Sequence, residues 1–308
     1  MTTQQRDAIE PVMRSQTFDP SIPVIQRRAD FAAVFASRTL PPGVTSRTIT
    51  LGGRPAIRVE PAGARRNGTL LYLHGGGYIA GSAETGQYLA ASLARRAGVV
   101  AVSLDYRLAP EHPYPAAVED AVAAYRDLLA TGTRPRDVVV AGDSAGGGLT
   151  IALLLASRAL GLELPSAAVV FSPFVDLALT GESVRSRSDL DTVLTPELLK
   201  IFAAAYLNDI DPRTPLASPL YADLSGLPPI LVQGGTHEIL LSDATRLAQR
   251  AVEAEVDVTM DIAPGMTHVF QSNEGRLNEA DDALERAGAF LRHALSPWAR
   301  TEAARSPA

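Results

Sequence analysis

The segment Gly142-Asp143-Ser144-Ala145-Gly146 sets one serine among small residues, where the apolar β-branched run Val138–Val140 gives way to a long Ala/Leu stretch. A serine hydroxyl is a poor nucleophile at neutral pH. To attack a carbonyl carbon it needs a base, a group that orients the base, and donors for the oxyanion that forms. The spacing alone is weak evidence, since chance supplies it in about one chain in ten at ordinary glycine usage. Its setting is stronger, because a strand directly before and a helix directly after make the strained turn that pushes a serine side chain outward. The competing reading, a glycine loop cradling a phosphate, lacks both the lysine of a P-loop and the G-x-G-x-x-G spacing.

The donors have a candidate upstream. His74-Gly75-Gly76-Gly77 follows the apolar run Leu70–Leu73, and consecutive glycines leave backbone N–H groups unobstructed. This is the HGGG type of loop that follows the third strand of an α/β-hydrolase. The amides of Gly76, Gly77 and Ala145 are the expected oxyanion donors, with His74 organising the loop.

The base is found by elimination among five histidines. His74 belongs to the loop, His112 to the proline-rich Ala109–Pro115, and His293 to a C-terminal helix. Of His237 and His268, the second follows the final strand and takes the last place in the order Ser, acid, His. The acid is then sought after the strand Pro229–Gly235. Glu238 comes first and is chosen, because a carboxylate that fixes a histidine tautomer must sit on a loop near the strand end. Asp243, five residues on, is read as a charge in the first turn of the next helix, and His237 as the acid's neighbour.

Eight runs read as the strands that must position these residues: 47–51, 55–60, 69–74, 99–106, 137–143, 167–173, 229–235 and 256–262. The middle ones are continuously apolar, as in parallel strands covered on both faces. In the last, Val256, Val258, Met260 and Ile262 alternate with Asp257, Thr259 and Asp261, which predicts a half-exposed edge strand that offers a surface for a homodimer. Helical patterns cover roughly 84–97, 115–130, 145–160, 240–254 and 276–295. The reading is a single α/β domain over 1–308: a mostly parallel eight-stranded sheet flanked by helices. Residues 1–40, with Phe31, Val34 and Phe35 at helical spacing, form one expected helical cap segment. The other is 178–210, a polar loop and then a helix opened by Thr195 and Pro196. The tail after Pro297 is expected to be mobile.

Composition excludes several alternatives. The chain of 308 residues carries a net charge of -6 without a Lys/Arg run, which argues against a nucleic-acid partner. It has no cysteine, hence no disulfide, thiolate-held metal or cysteine nucleophile. No cofactor or metal is called for. The N-terminus is polar and no stretch approaches the ~18 apolar residues of a membrane span, so the expectation is a soluble, cytoplasmic protein.

Residues 68–295 resemble the bacterial hormone-sensitive-lipase-like esterases of the α/β-hydrolase fold, through HGGGY, SLDYRLAPEHPYPAAVED, GDSAGGGL, SPLYADLSGLPP and GMTHVF. The resemblance implies a carboxylic ester hydrolase with a Ser, acid, His triad, no metal and a helical cap. Two positions depart from the pattern: Glu238-Ile239-Leu240 stands where relatives commonly have D-P-L, and Val269 where many have glycine. Arg107, Glu111 and Asp120 read as structural. With few large cap aromatics (Phe31, Phe35, Phe202, Tyr206), the expected substrates are esters of short to medium acyl chain. Lactones are the alternative, since SPLYADLSGLPP is similar to a subgroup in which some members open them. A small-molecule receptor on the same fold is the non-enzyme reading, and the retained His268 weighs against it.

Overall fold

The computed structural model describes Gln5 and residues 22–296, the side chains of 65–67 excepted. Eight strands lie in the chain order β1 (Val44–Leu51), β2 (Arg54–Pro61), β3 (Arg65–Leu73), β4 (Val99–Leu104), β5 (Val138–Asp143), β6 (Ala168–Phe171), β7 (Ile230–Gly235) and β8 (Val258–Ala263). They form one sheet in the order β1-β2-β4-β3-β5-β6-β7-β8. Only β2 runs antiparallel to its neighbours; the remaining pairs are parallel. The eight runs read from the sequence all form strands. The last starts two residues later than expected, because the Val256 amide donates back to the Ala251 carbonyl at 2.9 Å and the ladder begins at Val258.

The helices are α1 (Val24–Phe35), α2 (Ala83–Ala97), α3 (Ala116–Ala130), α4 (Ala145–Ala159), α5 (Ser183–Ser186), α6 (Pro196–Leu207), α7 (Leu241–Glu253) and α8 (Asn278–Ala294). Alternate residues of the central strands feed two cores. Leu71, Leu73, Val138 and Val140 pack with Leu149 and Leu153 of α4 on one face. Leu70, Tyr72, Val139 and Ala141 meet Leu93 of α2 and Leu284 and Leu291 of α8 on the other. Burial on both sides is what the unbroken apolar runs encode, at roughly 1.5–3 kcal/mol for each fully buried aliphatic side chain.

The strand order makes the site. From β3 the chain crosses through α2 to β4 on one side, and from β5 it crosses through α4 to β6 on the other. Connections that diverge in this way leave a crevice beyond the carboxyl ends of β3 and β5, the position where open α/β sheets bind ligands. His74 follows β3 there, and Ser144 follows β5.

Two segments cover the crevice. In α1, Arg28 donates from Nε to the Ile79 carbonyl at 2.7 Å and from Nη2 to the Ala109 carbonyl at 2.9 Å. It also pairs with Glu111 at 2.5 Å, so one side chain fastens the helix to two loops of the sheet domain. The helix α6 opens as expected: Thr195 accepts from the Leu198 amide at 3.3 Å with Pro196 next in line. The loop ahead of it departs from the polar-loop reading, since it contains the single turn α5 and buries Ser183, Val184, Asp191 and Thr192. The part of the first cap segment in residues 1–4 and 6–21, and the tail after Pro297, lie outside the described residues.

The last strand does form a sheet edge, with Met260 51% exposed. Its Asp261 is not a free edge charge, for it accepts from Gln233 at 2.9 Å and from Arg286 at 2.8 Å. Among the described residues no helix is long and apolar enough to cross a membrane.

Candidate active site

Ser144 sits at φ +53°, ψ −121°, between the last residue of β5 and the first of α4. A non-glycine residue in such a conformation costs about 1–3 kcal/mol and persists only where its surroundings fix it. Three backbone bonds do so. Its amide donates to Phe171 at 2.8 Å, and its carbonyl accepts from Gly148 at 3.1 Å and Phe174 at 2.9 Å. The flanking glycines are needed for close approach: a Cβ on Gly146 would stand 2.0 Å from the Leu73 carbonyl oxygen, and one on Gly142 2.2 Å from that of Gly146.

The turn presents the Ser144 hydroxyl to His268, with Oγ 2.9 Å from Nε2. On the far side of the ring, Nδ1 lies 3.0 Å from Oε2 of Glu238. The structure thus brings together the three side chains picked from the sequence. Glu238 is fully buried, and its other oxygen accepts from the Gly235 amide at 2.5 Å and the Ser172 hydroxyl at 3.2 Å. Ser172 Oγ in turn accepts from the Val269 amide at 3.0 Å, tying the acid's loop to the base's loop. Burial disfavours the imidazolium of His268. The hydrogen bond and charge of Glu238, with the charges of Asp191 and Asp143, outweigh it and hold the pKa above the ordinary histidine value.

The other candidates stand elsewhere. Asp243 receives the amides of Val175 and Asp176, both at 2.9 Å, and so secures the chain after β6 rather than the histidine. Burial, with the charge of Asp176 close by, pushes its carboxyl up to about 8. His74 is buried against Tyr106, ring centroids 4.1 Å apart, and burial lowers its pKa to about 4. Its Nδ1 lies 2.8 Å from the Gly75 carbonyl, in keeping with a loop organiser. His112 and His293 are exposed. Arg107 is bound to Asp120 at 2.9 Å and to Glu119 at 3.0 Å, which is a structural part.

Two carboxylates escaped the sequence reading. Asp143 Oδ1 accepts from the Tyr72 hydroxyl at 2.7 Å and from the Gly75 amide at 3.0 Å, fixing the glycine loop beside the serine. Asp191 accepts from Val193 and Leu194 through Oδ1 and from Ile239 through Oδ2, each at 2.9 Å, bracing the residue next to Glu238. Asp143 lies inside the Gly142–Gly146 segment itself. Asp191 carried only the weak signal of an Asp two residues before its own amide donor, a turn pattern.

Among the described residues, no protein acceptor takes the amide hydrogens of Gly76, Gly77 or Ala145. The first two belong to the glycine loop, and the last is the first amide of α4, where the helix leaves N–H groups unpaired. A cavity of about 100 Å³ opens here, walled by Gly75, Gly76, Gly77, Ser144 and His268 below and by Phe31, Val34, Phe35 and Phe202 of the two cap helices above. Tyr206, expected with them, is absent from this lining. It stacks on Tyr78 at 3.8 Å between centroids. Among the described residues no cluster of His, Asp and Glu is placed to hold a metal ion.

The fold and the arrangement of Ser144, Glu238 and His268 define an α/β hydrolase, and comparison with known proteins agrees. A family model described as alpha/beta hydrolase fold matches residues 70–272. The acetyl-hydrolase of Streptomyces hygroscopicus is 47% identical over 261 residues, 84% of this chain and 86% of that protein. An esterase of Acinetobacter venetianus is 39% identical over 252 residues, 81% and 82% of the two chains. A crystal structure of an esterase from the bacterial hormone-sensitive lipase family superposes with a TM-score of 0.93 at 42% identity, covering 96% of this chain and all of that one. The chain belongs to the hormone-sensitive-lipase-like esterases of the α/β-hydrolase fold, and with them to the carboxylic ester hydrolases.

Proposed function

We propose that this protein hydrolyses carboxylic esters of short to medium acyl chain through an acyl-enzyme on Ser144. His268 takes the hydroxyl proton as Ser144 attacks the ester carbonyl, and the amides of Gly76, Gly77 and Ala145 receive the developing oxyanion. The imidazolium then protonates the departing alkoxide. Water repeats the cycle on the acyl-enzyme, with His268 as base again, and Glu238 keeps the ring in the tautomer that presents Nε2 to the serine.

The observation that carries this reading is the unbroken relay Ser144 Oγ, His268 Nε2, His268 Nδ1, Glu238 Oε2, with contacts of 2.9 and 3.0 Å. The chain-length reading rests on the modest cavity directly over Ser144, which Phe31, Val34, Phe35 and Phe202 wall in. The same attack opens a cyclic ester, so lactones belong in the substrate panel. Ser144→Ala is expected to lower kcat on p-nitrophenyl acetate by about 10⁶. Turnover kept within tenfold of the native rate would refute the nucleophile.

A further inference from the structure

A second cavity of about 250 Å³ adjoins the first and shares Leu89 and Ser272 with it. Two arginines line it, Arg38 and Arg276. Neither guanidinium has a carboxylate or carbonyl partner among the described residues. The one acidic side chain in the lining is otherwise engaged: Glu274 takes the Ser92 hydroxyl, Arg96 at 2.5 Å and Arg95 at 3.2 Å. Among the described residues the cavity therefore presents two arginine charges without an ion-pair partner of their own, in a chain whose net charge is -6.

Arg38 is held rather than loose. Its Cζ lies 4.7 Å from the centroid of Phe35, a ring that itself lines the cavity over Ser144. The Tyr88 hydroxyl donates to the Arg38 carbonyl at 3.0 Å, while the Tyr88 ring stacks with Phe35 at 6.2 Å. Burial first, and then the charge of Arg276, keep the guanidinium below the usual arginine pKa. Bringing two unpaired cations together costs free energy, and an anion between them would recover it through charge-assisted hydrogen bonds.

We propose that this cavity is an anion subsite of the ester site, and that the preferred substrates carry a carboxylate on one arm of the ester. Arg38 and Arg276 bind that carboxylate while the ester carbonyl lies at Ser144. The inference rests on Ser144 as the nucleophile and deepens that reading by naming a substrate class.

Two pairs of esters test it, each differing only in a terminal carboxylate or methyl. Mono-p-nitrophenyl adipate against p-nitrophenyl hexanoate places the charge on the acyl arm, and ω-acetoxyhexanoate against hexyl acetate places it on the alcohol arm. The full chain is expected to favour the charged member of at least one pair by about tenfold in kcat/KM, through KM, and to lose that preference as salt is raised. The charged-to-neutral ratio should fall about tenfold in Arg38→Gln and in Arg276→Gln, with partial rescue in Arg38→Lys. Arg276 is exposed, so its variant tests the subsite without disturbing the packing that Arg38 shares with Phe35. The proposal is overturned if the neutral member is preferred in both pairs, or if neither arginine variant changes the ratio. Hydrolysis of both members by Ser144→Ala would instead strike at the nucleophile, which keeps the two failures apart.

Discussion

Glu238 stands where the family resemblance implies an aspartate, and its side chain is accommodated because both its oxygens have partners inside the protein. One meets His268, the other the Gly235 amide and Ser172. Under the proposed mechanism these contacts govern how the base responds to pH. His268 must be neutral to accept a proton, and its pKa is held above 6.5. Activity should therefore rise with pH along a limb whose midpoint lies above that value. Glu238→Gln removes the strongest raising influence, so the midpoint should move to lower pH while kcat falls by about 10⁴, as read from pH profiles of kcat/KM. An unmoved midpoint would mean that another carboxylate governs the histidine. Asp243 provides the contrast. Its two amide partners would be left unsatisfied in Asp243→Ala, at about 1–3 kcal/mol each, so thermal melting should show a less stable protein. The pH midpoint of its activity should stay in place. An inactive but fully folded Asp243→Ala would reverse the assignment of the acid.

Among the elements, the two cap helices wall the cavity over the serine. Phe202 of α6 lies so close to Gly77 that a Cβ there would stand 2.4 Å from its ring, and it forms one wall of the cavity. Phe202→Ala should open that wall and move the optimum of a p-nitrophenyl ester series toward longer acyl chains, with rates on acetate reduced as contact with small acyl groups is lost. If the optimum stays where it is, the acyl arm lies elsewhere, against α1. The elements themselves were largely legible in the sequence. Parallel strands buried on both faces leave uninterrupted apolar runs, and Thr195-Pro196 marks a helix start by its own local chemistry. The burial of the 178–195 loop was not legible. Two of its buried polar residues reach partners 48 to 59 positions away, Asp191 with Ile239 and Ser183 with Ile239 and Ser242, and no local pattern records those long-range contacts.

For the whole molecule, the sequence carried the three residues proposed to react because each follows a strand, and the order of strands in the chain already orders the proposed roles. It did not carry the sheet order, in which β3 stands between β4 and β5, nor the approach of Arg38 to Arg276, which lie 238 positions apart in the chain. Both are products of the closed fold. Whether Ser144 alone acts as the nucleophile is read out by covalent labelling. Treatment of the native protein with a fluorophosphonate, followed by peptide mass spectrometry, should give a single adduct on Ser144, formed in step with the loss of ester turnover. A protein that stays unlabelled at Ser144 while losing activity, or that keeps turning over esters once Ser144 is fully modified, would contradict the account.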